Sequence, residues 1–267
     1  MQAKPQTLLD PARADGQDGP QVIAVHCRSD DFRATPPHAH ARGQLIAAAG
    51  GLLSIDTGDE RLVVPPSHAV WIPGHQQHSL RSHGPFDGWS VYVAPAACAG
   101  LPQQALVLQV SGLLRAAVLR AASWTDALMP DAMQARVLAV ILDEIASLPR
   151  ARLALPLPAE RRLKKIAQAL ADNPADQRSL QQWAEWAAIA PRTLSRRFAA
   201  ETGMPFSEWR QRARLMRALE LLMAGQPVTG IALDLGYDSL SAFIAMFRRS
   251  LGVSGGAGQQ PDDNPPP

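Results

Sequence analysis

The sequence predicts a two-domain α+β chain, in which an antiparallel β-barrel with added helices precedes an all-α domain. Residues 21–95 are short apolar runs interrupted by Gly, Pro and Asp, whereas residues after 102 are rich in Ala and Leu. All seven histidines lie before residue 84. Residues 161–250 hold fourteen Lys and Arg against eight Asp and Glu, so a basic module follows a slightly acidic one and favours a polyanionic partner.

Composition excludes several classes of protein. A chain of 267 residues with 46% hydrophobic content is long enough and apolar enough for two packed cores. The two cysteines, Cys27 and Cys98, make a disulfide framework unexpected and fit a reducing compartment. Residues 1–19 lack the apolar segment of a signal peptide, and no run of about 18 apolar residues could span a bilayer. We therefore expect a cytoplasmic protein with no membrane partner.

The first domain is predicted from the spacing of its apolar runs. Residues 1–20 are expected to be a disordered leader, and residues 21–102 to form the barrel. Strands that recur every 8–12 residues between turn residues are typical of antiparallel sandwiches and barrels. Residues 56–59, Asp-Thr-Gly-Asp, suit a hairpin turn. The predicted strands are 44–48, 51–56, 61–64, 69–72 and 89–93.

The next segments are predicted from helical periodicity and proline. Residues 103–149 are expected to carry helices at 111–122 and 131–148, which either cap the barrel or form a dimer interface. The proline-containing segment 150–160 predicts an interdomain linker. Residues 161–252 have a helical pattern almost throughout, and the Gly- and Pro-rich segment 253–267 predicts disorder.

The helical half contains an internal repeat, with one copy in residues 180–203 and the other in residues 228–252. Each copy has two small residues four positions apart, followed at once by an apolar residue. Helices that cross at about 90–120° need small residues where their backbones approach, and a tight turn. The repeat therefore predicts two helix-turn-helix units. The repeated residues are Ala184, Ala188 and Ile189 in the first copy and Ala232, Gly236 and Tyr237 in the second.

Residues at the predicted helix ends support the same interpretation. Pro191 suits the first turn of a helix, and Ser239 suits an N-cap. Gly203 and Gly252 stand where a left-handed C-terminal cap is favoured.

The second helix of the first copy has an apolar face and a polar face. Leu194 and Phe198 share the buried face, which leaves the opposite face polar and basic. Arginine pairs with guanine through two hydrogen bonds, so this face could read base edges. The alternative, which we weigh lower, is the solvated face of an ordinary helical bundle. The polar residues are Arg192, Thr193, Ser195 and Arg196.

Residues 206–224, between the two copies, contain neither Pro nor Gly. As one helix they would span about 28 Å, comparable with the roughly 34 Å that separate successive major grooves on one face of DNA. Such a rod could hold two recognition helices in adjacent grooves. Arg210, Arg214 and Arg217 share one side of it and are candidate phosphate contacts, although they could equally serve only to solubilise the helix.

Residues 161–252 resemble the DNA-binding domain of AraC-type transcriptional regulators, through the segments RTLSRRFAAETGMPFSEWRQRARLMRALELL and IALDLGYDSLSAFIAMFRRSLG. The resemblance implies that the second helix of each unit enters the major groove. Ala245 stands where a longer polar residue is common, so the second unit is expected to read little sequence. The chain also lacks the Ser-Pro-aromatic segment that often follows Gly252. The candidate DNA contacts are Arg192, Thr193, Ser195, Arg196, Arg197, Ser239, Ser241, Ala245, Arg210, Arg214, Arg217 and Arg248.

The histidine-rich half contains His38-x-His40, then Gln44, and later His75 and His78. Alternation along a strand points the first two histidines to the same side. The pattern resembles the two motifs of cupin barrels, in which His-x-His, a Glu and a later His hold a divalent metal. Here Gln44 replaces the acidic ligand. The candidate metal ligands are His38, His40, Gln44 and His78, and a candidate effector pocket adds Trp71 and His75.

Three functions remain open for that pocket: a metal-dependent enzyme, a sensor that holds a metal, and a metal-free sensor, which we favour. The segments HAHARGQL and VPPSHAVWIPGHQQHSL resemble the sensor domains of a cupin-containing subgroup of AraC-type regulators. The resemblance then covers residues 36–252. It implies a cupin-like antiparallel β-barrel sensor followed by an all-α double helix-turn-helix domain.

The resemblance also implies a function and its partners. We expect a homodimeric, sequence-specific regulator, not an enzyme, that dimerises through the helices of 103–149. It would bind double-stranded promoter DNA, respond to a small-molecule effector or metal, and contact RNA polymerase if it is an activator. The alternative is a metal-dependent cupin enzyme whose helical tail serves oligomerisation.

Overall fold

The computed structural model describes residues 9–16, 19–31, 33–124, 130–151 and 153–250. Within these ranges the strands are β1 Val22–Ser29, β2 Ala34–His38, β3 Gly43–Asp56, β4 Glu60–Val64, β5 His68–Ile72, β6 His78–Val93, β7 Leu106–Gln109, β8 Arg150–Ala151 and β9 Ala154–Pro156. The α-helices are α1 Pro11–Asp15, α2 Gly112–Ala122, α3 Ala132–Ser147, α4 Arg161–Asp172, α5 Leu180–Trp186, α6 Pro191–Thr202, α7 Phe206–Met223, α8 Val228–Asp234 and α9 Leu240–Ser250.

The strands form one antiparallel sheet, organised around the long strands β3 and β6. β6 pairs with β3 along almost its whole length on one edge, and with β1 and β2 on its other edge. β3 pairs with β5 near its start and with β4 near its end, and its register shifts around Gly50. The two strands predicted at 44–48 and 51–56 are therefore one irregular strand. In the described residues the sheet is not closed into a ring, since β1 and β8 end the pairing order.

The two sides of the sheet pack against different partners. One side encloses an apolar interior, to which Ile46, Val70 and Ile72 contribute. The other side carries Leu45 and Trp71, which α2 and α3 cover with a row of buried apolar residues. The helices predicted at 111–122 and 131–148 are confirmed, and they cap the outer side of the sheet.

Two predictions about the segments flanking the sensor domain are wrong. Part of the expected disordered leader is folded, because Leu9 and Ala14, the second of them in α1, are buried with Ile23 and Tyr92. The expected linker 150–160 joins the sheet instead, as β8 pairs with β7 and β9 pairs with β4. Leu155 supplies the apolar side chain that makes this segment pack rather than remain extended in solvent. Residues 1–8 and 251–267 lie outside the described residues.

The helical domain has two apolar clusters joined by α7. The first surrounds Trp183, Phe198 and Trp209 from α5, α6 and α7. The second brings residues of α7 together with Ile231 of α8 and Phe243 of α9. The predicted rod over 206–224 is confirmed as one unbroken helix of eighteen residues, or about 27 Å. One helix thus contacts both helix-turn-helix units.

The first of these clusters also includes side chains from the sheet. Leu52, Val63 and Leu155 pack with the residues of α4 to α7. The indole Nε1 of Trp209 donates to the carbonyl oxygen of Pro156 over 2.7 Å. The sheet and the helical domain therefore meet through a shared core. Across the described ranges, no helix combines the length and hydropathy needed to cross a membrane.

Candidate DNA-reading helices and a three-histidine pocket

The first helix-turn-helix unit consists of α5 and α6. Ser179 and Gln182 form a reciprocal capping box at the start of α5, and Pro191 occupies the first turn of α6. Ala188, in the turn between the helices, has a left-handed backbone with φ of 52°. Gly203 ends α6 with φ of 73°, as a left-handed C-cap. The predicted unit and these predicted helix ends are confirmed.

α6 turns its predicted reading side to solvent. Leu194 and Phe198 are fully buried, whereas Arg192, Ser195 and Arg196 are exposed. Among the residues that the structure describes, Arg192 and Arg196 have no side-chain hydrogen bond or ion pair, so their guanidinium groups remain available for a ligand. Two further candidates differ: Thr193 is half-buried, and Arg197 pairs with Glu201 one turn along the helix.

The second unit, α8 and α9, has the same construction. Gly236 occupies the turn with φ of 74°, a backbone conformation that favours glycine, and a Cβ there would displace the Nε2 of Gln177. Ser239 accepts a hydrogen bond from the amide of Ala242 and so caps α9, as predicted. Gly252 lies outside the described residues. The exposed candidate residues here are Ser239, Ser241, Ala245 and Arg248.

The three arginines predicted on one side of α7 make contacts within the protein. Arg210 donates to the carbonyl oxygens of Arg178 and Asp176, and Arg214 donates to that of Pro174. Burial lowers the pKa of Arg210. The third arginine, Arg217, donates to the carboxylate of Glu220 over 2.9 Å. Arg210 and Arg214 thus tie residues 174–178 to α7, and their predicted phosphate contacts stay a prediction.

Three histidines meet inside the sensor domain, at the ends of β2 and β6. The register of these strands places His38 opposite His78, and His40 follows two residues after His38. Their ring centroids lie 4.3 to 5.9 Å apart. One nitrogen from each ring lies within 4.8 Å of one from each of the others. Gln44, on β3, places its side-chain oxygen 3.2 Å from the Nε2 atoms of both His40 and His78.

Backbone contacts fix the tautomer of each histidine. The Nδ1 atoms of His38, His40 and His78 lie 2.8, 2.7 and 3.0 Å from backbone carbonyl oxygens. A carbonyl oxygen only accepts, so each Nδ1 carries the proton and each Nε2 of a neutral ring has a bare lone pair. The same arrangement orients histidines that bind metals.

The amide of Gln44 is oriented by its own donors. Its Nε2 donates to the hydroxyl oxygens of Ser90 and Tyr92 over 2.8 and 3.1 Å, which turns its Oε1 toward the histidines. Burial lowers the pKa of His78 to about 4 and also lowers the pKa of His40, so both rings are neutral at pH 7. The lone pairs of Gln44 Oε1 and of the Nε2 atoms of His40 and His78 therefore face one another at 3.2 Å. A cation bound by these atoms would stabilise that arrangement.

The space beside these groups is of ionic size. A cavity of about 20 Å³ is lined by His38, Gln44 and His78, together with Thr35 and Tyr92. Such a volume holds one water molecule or ion, whereas pockets for small organic ligands are typically about 300–1,000 Å³. The hydroxyl oxygen of Thr35 is buried with no hydrogen-bond partner in the described chain. The cavity thus combines ion-like dimensions with one unsatisfied hydroxyl.

Two predicted pocket residues lie elsewhere. Trp71 belongs to the opposite side of the sheet, because its neighbour Ile72 lines the cavity and adjacent strand residues point to opposite sides. His75 is exposed, with φ of 64°, and is not among the lining residues. The prediction missed Thr35, Arg33 and Tyr92. Tyr92 is paired with Gln44 across β3 and β6, a relation that appears only once the register is known.

A polar contact joins the sensor sheet to α7, beside a cleft of about 610 Å³. The hydroxyl of Ser54 on β3 donates to the carboxylate of Glu220 over 2.9 Å. The Nε2 of His83 on β6 lies 2.8 Å from the same hydroxyl. Arg217 holds the other carboxylate oxygen. Burial lowers the pKa of His83, although the charge of Glu220 acts in the opposite direction.

Comparison with known families decides the class of protein. Residues 20–176 match the model of an AraC-like ligand binding domain, and residues 183–257 match that of a helix-turn-helix domain. The chain belongs to the AraC family of transcriptional regulators. It is 34% identical over 235 residues to the HTH-type transcriptional regulator NimR of Escherichia coli. The matched segment covers 88% of this chain and 85% of NimR.

The chain is also similar to two further proteins. The regulator is 40% identical over 99 residues to the HTH-type transcriptional regulator RipA of Corynebacterium glutamicum, over 37% of this chain and 30% of RipA. The solved structure of ToxT from Vibrio cholerae aligns with 88% of the chain and 95% of its own, at 12% identity and a TM-score of 0.36.

The family decides between the two functions that the sequence left open, a regulator and an enzyme. Both domains of the regulator match families of transcriptional regulators rather than enzymes. The prediction of a DNA-binding regulator with an N-terminal ligand-binding domain is confirmed, and the cupin-enzyme alternative is not supported. α6 lies within the residues that match the helix-turn-helix domain, and the histidine pocket lies within those that match the ligand-binding domain.

Proposed function

We propose that this regulator is a cytoplasmic homodimer that binds a divalent metal ion in its histidine pocket and thereby changes its affinity for promoter DNA. One observation carries the proposal. The bare Nε2 atoms of the three histidines and the Oε1 of Gln44 meet beside a cavity that fits an ion. His38, His40, Gln44 and His78 are the proposed ligands.

The chemistry of these ligands favours a particular group of metals. Neutral imidazole suits zinc, copper, nickel and iron, and four ligands suffice for the tetrahedral coordination typical of zinc. The donor set contains no carboxylate, so the ion keeps its full charge in a buried site. That charge weakens binding relative to a site with a Glu ligand. A weakly held, exchangeable ion suits a sensor better than a permanent structural centre.

The route from pocket to DNA-binding domain follows two paired strands. β6 carries His78 at its start and His83 five residues later, and β3 carries Gln44 and Ser54. Ser54 and His83 contact Glu220 on α7. Metal binding would shift the two strands and so bias the position of α7. Coupling between two sites typically amounts to about 1–3 kcal/mol, or about 5- to 150-fold in affinity.

The DNA-binding part of the proposal places α6 and α9 in the major groove. Arg192 and Arg196 are exposed on α6 and lack partners in the described chain, as base-reading residues require. Dimerisation through α2 and α3 is supported by exposed apolar residues, Leu113, Leu119 and Met133, on the outside of those helices. The promoter fragment is double-stranded DNA, and RNA polymerase is a further partner if the regulator activates transcription.

The test uses the full-length protein after removal of metals by a chelator. A genome-wide binding map first supplies a promoter fragment. Calorimetric titration with Zn²⁺, Ni²⁺ and Co²⁺ should detect one ion per chain, and fluorescence anisotropy should show at least a fivefold change in promoter affinity when the ion is bound.

The variant His78→Ala should lose metal binding together with the change in promoter affinity. His26→Ala is the matched control, because His26 is an exposed histidine of the same sheet outside the pocket. It should behave like the wild type. Metal sensing at this site would be refuted if His78→Ala bound metal like the wild type. It would also be refuted if the wild-type protein had the same promoter affinity with and without the bound ion.

A further inference from the structure

We infer that the two helix-turn-helix units of this regulator read DNA by different chemistry: α6 by arginine hydrogen bonds to guanine, and α9 by alanine contacts to thymine methyl groups. The inference rests on the proposed binding of promoter DNA. It predicts a two-part site, in which one part contains guanine and the other part is rich in A·T pairs.

The observation behind it is an exchange of residue types between equivalent positions of the two helices. The buried residues Leu194 and Phe198 of α6 correspond to Phe243 and Phe247 of α9, which aligns the two helices residue by residue. The positions of Arg192 and Arg196 are then occupied by Ser241 and Ala245, and that of Thr193 by Ala242. Two turns later the order reverses: α6 has Ala199 and Ala200, whereas α9 has Arg248 and Arg249.

The residues near the start of a recognition helix are those that reach base edges. At the three positions of α9 equivalent to Arg192, Thr193 and Arg196, the side chains offer only a short hydroxyl, from Ser241, and the methyl groups of Ala242 and Ala245. None of these side chains can form the two-hydrogen-bond pairs that arginine makes with guanine. The thymine C5-methyl is the one apolar group that bases present in the major groove, and alanine is among the residues that contact it. Small apolar side chains also let α9 approach the base edges closely.

Arg248 and Arg249 lie too far along α9 to share this task. They are seven and eight residues beyond Ser241, which is about 10–12 Å along the helix axis. Both are exposed, and neither has a side-chain partner in the described part of the chain. Positive side chains beside a groove bind phosphates, which position a protein on DNA without reading its sequence. We assign these two arginines to the DNA backbone.

Base analogues test the inference one functional group at a time. The probe is the full-length regulator with the promoter fragment from the binding map, at constant salt. Replacing guanine by 7-deazaguanine removes the N7 acceptor that arginine needs, and should weaken binding at least fivefold in one part of the site. Replacing thymine by deoxyuridine removes only the methyl group, and should weaken binding about fourfold per contacted methyl in the other part.

Variants then connect each analogue to its helix. Arg196→Ala should lose the response to 7-deazaguanine at the guanine that Arg196 contacts, and should keep its response to deoxyuridine. Ala245→Gly should lose the response to deoxyuridine at the thymine that Ala245 contacts, and should keep its response to 7-deazaguanine. Ala200→Gly is the matched control, since it removes an exposed alanine methyl from α6 at a position that corresponds to Arg249. It should respond to both analogues as the wild type does, and circular dichroism should show each variant folded.

Two results would overturn the inference. One is that the wild-type protein binds deoxyuridine-substituted DNA as tightly as normal DNA at every position of the site. This measurement needs no variant protein. The other is a 7-deazaguanine effect of equal size in both parts, because both units would then read guanine. Failure of the proposed function would appear differently, as equal binding of the promoter fragment and of unrelated DNA.

Discussion

The variant Arg210→Ala should destabilise the DNA-binding domain without weakening its hold on DNA phosphates. Position alone makes Arg210 a candidate for the DNA backbone, since it lies on α7 between the two helix-turn-helix units. In the structure, however, its guanidinium is half-buried and donates to the carbonyl oxygens of Asp176 and Arg178. These two bonds hold the segment before α5 against α7, close to the ring of Phe206.

The expected magnitude follows from those two bonds. A hydrogen bond to a charged group contributes about 1.5–3 kcal/mol, so two would contribute about 3–6 kcal/mol if fully buried. Water regains access to the carbonyl oxygens when a half-buried side chain is removed, so we expect about half of that stabilisation to be lost, roughly 1.5–3 kcal/mol. At a typical urea dependence of about 1–3 kcal/mol per molar, the unfolding midpoint should fall by about 1 M.

The assay combines urea unfolding with the salt dependence of DNA affinity. Unfolding is followed by circular dichroism, and the dissociation constant is measured by anisotropy from 50 to 200 mM salt at a temperature where the variant is folded. The slope of log affinity against log salt should match the wild type. Arg196→Ala is the contrast: its exposed side chain has no partner in the described chain, so its stability should stay within about 0.5 kcal/mol while sequence preference relaxes.

The opposite result would refute this reasoning. If Arg210 bound a DNA phosphate, its replacement by alanine would reduce the salt slope by about 0.9. A slope that falls by that amount, with an unchanged free energy of unfolding, would mean that Arg210 binds DNA and that its bonds to residues 176 and 178 do not contribute to stability. Both outcomes come from one protein preparation, so they are compared directly.

Four further predictions concern the pocket, its coupling and the turns. At a concentration 100 times its dissociation constant, Zn²⁺ should stabilise the metal-free protein by about 2.7 kcal/mol. Calorimetry should then show a melting temperature raised by roughly 5–11 °C, and His78→Ala should abolish this shift. Glu220→Gln should weaken the effect of metal on promoter affinity and, by reciprocity, the effect of DNA on metal affinity, as measured by paired titrations. Gly236→Ala should lower the free energy of unfolding by about 1–3 kcal/mol in urea titrations, because its φ is positive and a Cβ would meet Gln177. Burial lowers the pKa of His83 from 6.5, so as the pH falls the imidazole is protonated in the unfolded chain before it is protonated in the folded one. The free energy of unfolding should therefore decrease below about pH 6.5. Melting curves measured at several pH values should show a less steep decrease in His83→Gln.

The local features of the helical domain were predictable from sequence. The small residues Ala188 and Gly236 mark turns whose left-handed backbone depends on only a few neighbours, and both have positive φ in the structure. The rod ends at Met223, one residue before the predicted end, because Gly225 follows with φ of 78°. A helix is defined by contacts a few residues apart, so its sequence contains most of the information needed.

The pocket was only partly predictable, because its members meet through strand pairing. His38 and His40 share a side by alternation, which sequence reveals directly. The orientation of Trp71 is hidden, because β5 is buried on both sides and shows no alternation of polar and apolar residues. Tyr92 is distant in sequence from Gln44 and becomes its neighbour only through the register of β3 and β6.

The same two strands offer a route by which the proposed sensor pocket would influence both helix-turn-helix units. β3 and β6 pair along their length, so a displacement at Gln44 and His78 reaches Ser54 and His83 together. Both of these side chains contact Glu220, which lies in the last turns of α7. α7 shares one apolar cluster with α5 and α6 and another with α8 and α9. A small rotation of α7 would therefore move both α6 and α9 relative to the sheet. The pocket would not need a separate path of contacts to each helix-turn-helix unit.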